Sequence, residues 1–107
     1  MKWARVNLQG ATGISRVCGV YEVDDLMRVP DGKYKVKVLQ RGPEEFVAYP
    51  NICVKSSPGG IPEWTSGLGR TEEEAIEKAL ASLGAQLAAL NGSLQRERFE
   101  WSDPVEF

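Results

Sequence analysis

Gly67-Leu68-Gly69-Arg70-Thr71-Glu72-Glu73-Glu74-Ala75 is the stretch on which the fold turns. It reads as the end of a strand, a tight glycine turn and the capped start of a helix. Thr71 suits the N-cap, because its hydroxyl accepts a hydrogen bond from a free backbone N–H. Glu74, three residues later, completes a capping box. Glu72, Glu73 and Glu74 in the first turn favour the positive end of the helix dipole, by roughly 0.3–1 kcal/mol each when exposed. Beyond them Ile76, Leu80, Leu83, Leu87 and Leu90 recur at 4-3-4-3 spacing and form one apolar stripe. Ala75, Ala79 and Ala88 flank the stripe and allow close approach to a sheet. The spacing predicts a helix over about 71–90. Gly84 inside it costs about 1 kcal/mol against alanine, which predicts a tight contact at that point. Asn91-Gly92 is a natural stop.

Upstream the pattern is β. Lys2 to Gln9 alternates, with Ala4, Val6 and Leu8 on one side, and predicts a half-buried strand. Ile14 to Val23 is rich in β-branched and aromatic residues and predicts a second, bent at Gly19. Asp24 to Arg28 has the length of one helical turn capped by Asp24. Pro30-Asp31-Gly32 has turn chemistry. Lys33 to Gln40 is the clearest strand, with Tyr34, Val36 and Val38 on one face and Lys33, Lys35 and Lys37 on the other. Arg41 to Glu45 turns the chain, and Phe46 to Tyr49 completes a hairpin. Pro50 and Asn51 interrupt it, and Ile52 to Val54 is a short strand or bulge. Ser56 to Pro62 is a loop. Glu63 to Leu68 reads as a third core strand carrying a half-buried Trp64. Gln95 to Trp101 alternates again and predicts a last, edge strand. Residues 102–107 read as a short tail.

Strands, one long helix and a final strand define an α+β domain. The expected architecture is an antiparallel sheet of about four to six strands with one helix on one face. At 107 residues, 42% of them apolar, the chain fits a single domain, 1–107.

Charge narrows the function. The net charge is −2, but residues 1–41 carry eight Lys and Arg against four Asp and Glu, and residues 42–107 carry five against eleven. The acidic helix start, Glu72, Glu73 and Glu77, is a candidate surface for a basic partner, set against plain capping and solubility. Lys33, Lys35 and Lys37, with Arg41 beyond them, form the alternative candidate: a basic strand face that tracks a nucleic-acid backbone. That face lacks aromatic interleaving, and it also reads as a solvated face that resists edge aggregation.

The chain has no histidine, which removes Ser-His and Cys-His catalysis and every histidine-containing metal site. Gly67-Leu68-Gly69 lacks the third glycine and the lysine of a phosphate loop, and three glutamates follow it. No carboxylate spacing is specific for metal or acid–base work. Cys18 and Cys53 read as small core residues in a cytoplasmic protein, although a disulfide between them stays open. Residues 1–20 lack a signal-peptide apolar region, and no run is long enough to span a membrane.

Tyr34-Lys-Val-Lys-Val38, Phe46-Val-Ala-Tyr-Pro50-Asn51-Ile52-Cys53 and Gly69-Arg-Thr71-Glu-Glu73-Glu74-Ala75 together resemble the HicB-type antitoxins over Tyr34 to Leu90. Those proteins carry a hairpin, a Pro-Asp-Leu-type turn, a third strand and Gly-x-Thr-x-Glu-Glu-Ala opening a helix. The turn here lacks its second proline and glycine, and a loop of about a dozen residues precedes the third strand. Only 17 residues follow Leu90, too few for the DNA-binding domain that many such antitoxins carry. The resemblance implies a domain that binds and blocks another protein. Tyr34-x-Val36, Gly42-Pro43, Phe46 and Gly67-x-Gly69-x-Thr71 also resemble the double-stranded RNA-binding domain. That family sets lysines where this chain has Glu72 and Glu73, so the resemblance implies its fold more than its RNA contacts.

The reading that follows is a small non-enzymatic protein-binding module, antitoxin-like or an inhibitor of prokaryotic or phage type, with no cofactor and no metal. A homodimer paired through Phe99 and Trp101 is an open alternative, as is the nucleic-acid-binding domain.

Overall fold

The computed structural model describes residues 1–91 and 95–107, and its architecture is α+β. A four-stranded antiparallel sheet is built from β1 (Arg16–Asp24), β2 (Lys33–Gly42), β3 (Glu45–Pro50) and β6 (Gly67–Gly69), in that spatial order. A three-stranded sheet places β4 (Ile52–Lys55) between β5 (Pro62–Glu63) and β7 (Phe99–Trp101). One helix, α1 (Glu72–Ala88), lies against both. The expected single sheet with its helix is present, and a second sheet accompanies it. Gly92 of the expected helix stop lies outside the described residues.

Strand register explains which residues meet the helix. Val38 pairs with Ala48, and Ala48 with Gly67, so these three share the inner face. Gln40, Phe46 and Gly69 form the next inner row. Val36 and Val38 are fully inaccessible, and Tyr34 is 4% exposed. On the helix the buried line runs Ala75, Ala79, Leu83, Leu87, Leu90, while Ile76 and Leu80 flank it half-buried. Of the three alanines expected beside the stripe, Ala88 is exposed, and Ala75 and Ala79 form its first half. Their small size is required, because the inner side of β6 is glycine. A Cβ added at Gly67 would land on Ala75 O and Ala79 N, and one at Gly69 would sit 2.6 Å from Ala75 N. Helix backbone and strand backbone pack directly on one another.

Gly84 differs. A Cβ there meets only the Arg28 guanidinium, at 3.9 Å, so the tight contact expected at that residue is absent. The N-cap is as expected: Glu74 N donates to Thr71 Oγ1 at 3.1 Å. The Glu74 carboxylate does not close the box. It accepts from Lys78 Nζ, 3.1 Å away and one turn on.

Several expected elements change identity. Lys2 to Gln9 is not a strand. It contains a 3-10 turn at Trp3–Arg5, and no residue of 1–15 is buried. Although β1 leaves a sheet edge open, this segment does not pair with it. The radius of gyration is 15.4 Å, against about 13 Å for a compact chain of this length. Asp24, expected as a helix cap, ends β1, and the residues after it form a turn and not a helix. There the Asp25 carboxylate accepts from Arg28 Nε at 3.0 Å and pairs with Nη2 at 2.8 Å. The bend expected at Gly19 is a β-bulge between Val17 and Gly19. Glu63 to Leu68 is two strands, β5 paired with β4 and β6 paired with β3, joined by residues 64–66. Gln95 to Trp101 is a 3-10 turn followed by β7, which does lie at a sheet edge.

The two interior glycine types separate cleanly by experiment. Gly67→Ala forces the helix off the sheet and is expected to cost about 3 kcal/mol or more. Gly84→Ala adds a methyl in open space and removes backbone entropy from the unfolded chain, a gain of about 0.5–1 kcal/mol. Urea unfolding of both variants checks the pair; equal effects of the same sign would refute the packing described.

Candidate binding site

The chain changes sheets at Asn51, and that residue is tied from three sides. Its backbone N–H donates to Lys35 O at 2.9 Å, and its Oδ1 accepts from Lys35 N at 2.8 Å. Its carbonyl accepts from Ser102 N at 2.9 Å. Asn51 thus fixes the end of β7 against β2 at the point where β3 becomes β4. Proline at position 50 has no N–H to lose and sits opposite Val36. Gln86 makes the matching tie from the helix: its Nε2 donates to Glu63 O at 2.6 Å, and its Oε1 accepts from Val54 N at 3.2 Å.

Between the two sheets this arrangement leaves a cleft of about 560 Å³, within the roughly 300–1,000 Å³ of ordinary ligand pockets. Four aromatic rings line it: Tyr49 of β3, Trp64 from the bridge between β5 and β6, Trp101 of β7, and Phe107. They are four of the nine aromatic residues in the chain. Trp64 is 49% and Trp101 37% exposed, a large apolar area left facing water. Phe107 packs edge-on against Tyr49, centroids 6.2 Å apart at 84°. Residues 102–107, expected as a tail, fold back as one wall. Asp103 caps a 3-10 turn by accepting from Val105 N at 2.9 Å. Lys37 Nζ donates to Glu106 O at 2.8 Å and lies 5.3 Å from the Phe107 centroid. The carboxylates in the lining are those of Asp103 and Glu106.

The sites anticipated from sequence lie elsewhere. Glu72 accepts a hydrogen bond from Tyr21 Oη at 3.1 Å, and that bond holds the Tyr21 hydroxyl above its ordinary pKa. Glu73 and Glu77, four apart, share one exposed helix face, so the three glutamates do not act as one cluster. Lys33, Lys35 and Lys37 do share the outer sheet face, opposite Asp24, Glu22 and Val20 of β1. Lys33 is 3.7 Å from Glu22, and Lys37 is engaged by the folded-back wall. Arg41 stands apart, in a hollow with Arg70, Glu44 and Glu45. Sequence reasoning missed the cleft. Its signal was the Tyr49-Pro50-Asn51 interruption, which marks a change of sheet and not a mere break in one strand.

Cys18 and Cys53 are free thiols. Cys53 is fully inaccessible, and burial pushes its pKa up to about 11. Among the described residues no group of three or more Cys, Asp and Glu is placed to hold a metal ion, and no helix is long and apolar enough to cross a membrane. A thiol held protonated in the fold contributes stability that is complete below its unfolded pKa of about 8.5–9. That stability is lost as pH rises toward 11. Unfolding at pH 7 to 10.5 is therefore expected to show a decline starting near pH 9 that Cys53→Ser largely removes. A wild-type curve flat across that window would contradict the burial.

The chain matches no protein-family model, no curated protein and no solved structure.

Proposed function

We propose that this chain is a non-enzymatic protein-binding module that engages its partner through the aromatic cleft, a partner-blocking role of the kind implied by the resemblance to HicB-type antitoxins. One observation carries the reading: two half-exposed tryptophans, with Tyr49 and Phe107, converge on a single cleft. Tryptophan and tyrosine dominate the energetics of protein interfaces, and their position between two sheets makes a rigid, concave surface. The hydroxyls in the cleft have no imidazole to activate them, since the chain contains none. Glu73 and Glu77 supply a second, acidic surface on the exposed side of α1. Two free thiols suit a reducing compartment, and we assign the protein to the cytoplasm on that basis. The nucleic-acid reading loses support from the engagement of Lys33 by Glu22 and of Lys37 by Glu106.

Affinity capture with three baits tests the proposal: wild type, Trp64→Ala/Trp101→Ala, and Glu73→Gln/Glu77→Gln. Thermal melts establish that each variant is folded. The expected result is a stoichiometric protein partner held by wild type and by the glutamine variant, with at least a tenfold loss for the tryptophan variant. No partner for wild type, or equal capture by the tryptophan variant, defeats it. A low-salt gel shift with duplex DNA and RNA decides the alternative, which requires binding that Lys33→Gln/Lys35→Gln weakens.

A further inference from the structure

The cleft has a charge as well as a shape. Its lining carries four aromatic rings and two carboxylates, Asp103 and Glu106. No lysine or arginine is among its lining residues. Aromatic faces present negative potential to a cation lying over them, and a carboxylate at the rim adds to it. The molecule already uses one of these rings in this way. Lys37 Nζ lies 5.3 Å from the Phe107 centroid and is held there by the Glu106 carbonyl.

We propose that the cleft receives an arginine side chain presented by a segment of the partner protein, an inference that rests on the protein-binding reading above. A guanidinium fits this lining better than an ammonium does. It is planar and weakly hydrated, so it stacks on an indole face without giving up a tight hydration shell. Its remaining N–H groups fork onto a carboxylate. Asp103 caps and Glu106 ends the 3-10 turn Pro104–Glu106 that forms the wall, and both line the cleft together with the rings. The cleft exceeds the volume of one side chain, so residues flanking the arginine in the partner lie against Trp64 and Trp101.

The test is an NMR titration of the full chain, following the two cleft indole N–H signals, assigned with Trp64→Phe and Trp101→Phe. The probes are acetyl-Ala-Ala-Arg-Ala-Ala-amide and its counterparts with citrulline, lysine or glutamate at the centre. Citrulline keeps the shape of arginine and removes the charge. The expected result is saturable shifts of both indoles by the arginine peptide, at least tenfold tighter than citrulline and several-fold tighter than lysine. Added salt weakens that binding, and Glu106→Gln lowers arginine affinity several-fold while leaving citrulline unchanged. Equal binding of arginine and citrulline, preference for lysine or glutamate, or no shift with any probe overturns the inference. These outcomes separate from those of the capture experiment. A partner held through the tryptophans without arginine selectivity sinks the guanidinium and leaves the module. Arginine selectivity with no protein captured does the reverse.

Discussion

The direct contact of α1 with β6 governs this structure. Two glycines on the inner side of a three-residue strand let Ala75 and Ala79 bring the helix axis down onto the sheet. No side chain spaces the two backbones apart, so helix and strand are held at one distance. Everything downstream follows from that seating. Leu83, Leu87 and Leu90 continue the same line and share one buried cluster with Ile52, Val54 and Phe99 of the second sheet. Gln86 then binds the backbones of β4 and β5 from the helix. One helix, seated on glycine, thus touches strands of both sheets.

The second organising residue is Asn51. A strand that passes from one sheet to another leaves backbone groups without ladder partners at the crossing, and buried or half-buried groups of that kind are costly. Asn51 answers with its own N–H, side-chain oxygen and carbonyl, and recruits Lys35 and Ser102 in doing so. The same three bonds hold Ser102, next to Trp101, at Asn51, two residues from Tyr49, and both rings line the cleft. Structural satisfaction of a sheet crossing and assembly of an aromatic cleft are here one event.

The helix, its cap and β2 were legible in the sequence, because periodicity and capping are local: Thr71 to Glu74 and Tyr34-x-Val36-x-Val38 each declare themselves within a few residues. Gly67 and Gly69 were legible as a turn but not in their real role. Their packing depends on which strand face meets the helix, a fact of register that no short window contains. Lys2 to Gln9 shows the opposite failure: alternation is strong, yet the segment pairs with no strand. The candidate site was the least legible part. Tyr49, Trp64, Trp101 and Phe107 come from four separated segments, joined only by the tertiary ties at Asn51 and Gln86. Glu73 and Glu77 are exposed as expected, whereas Glu72 is taken by Tyr21, a partner 51 residues away.

The bulge in β1 has a consequence for how the molecule meets its own copies. This nine-residue strand is an open sheet edge bearing Val17, Val20 and Tyr21, each more than 40% exposed. Such an edge invites a further strand. Across the bulge, however, Val17 and Val20 point to the same side although they are three residues apart, since their partners Leu39 and Lys37 are two apart. An incoming regular strand keeps a period of two, so it matches β1 on one side of Cys18 and presents the wrong side chains on the other. One extra residue thus breaks the period of the edge near Cys18, so a single regular strand cannot follow it along its whole length.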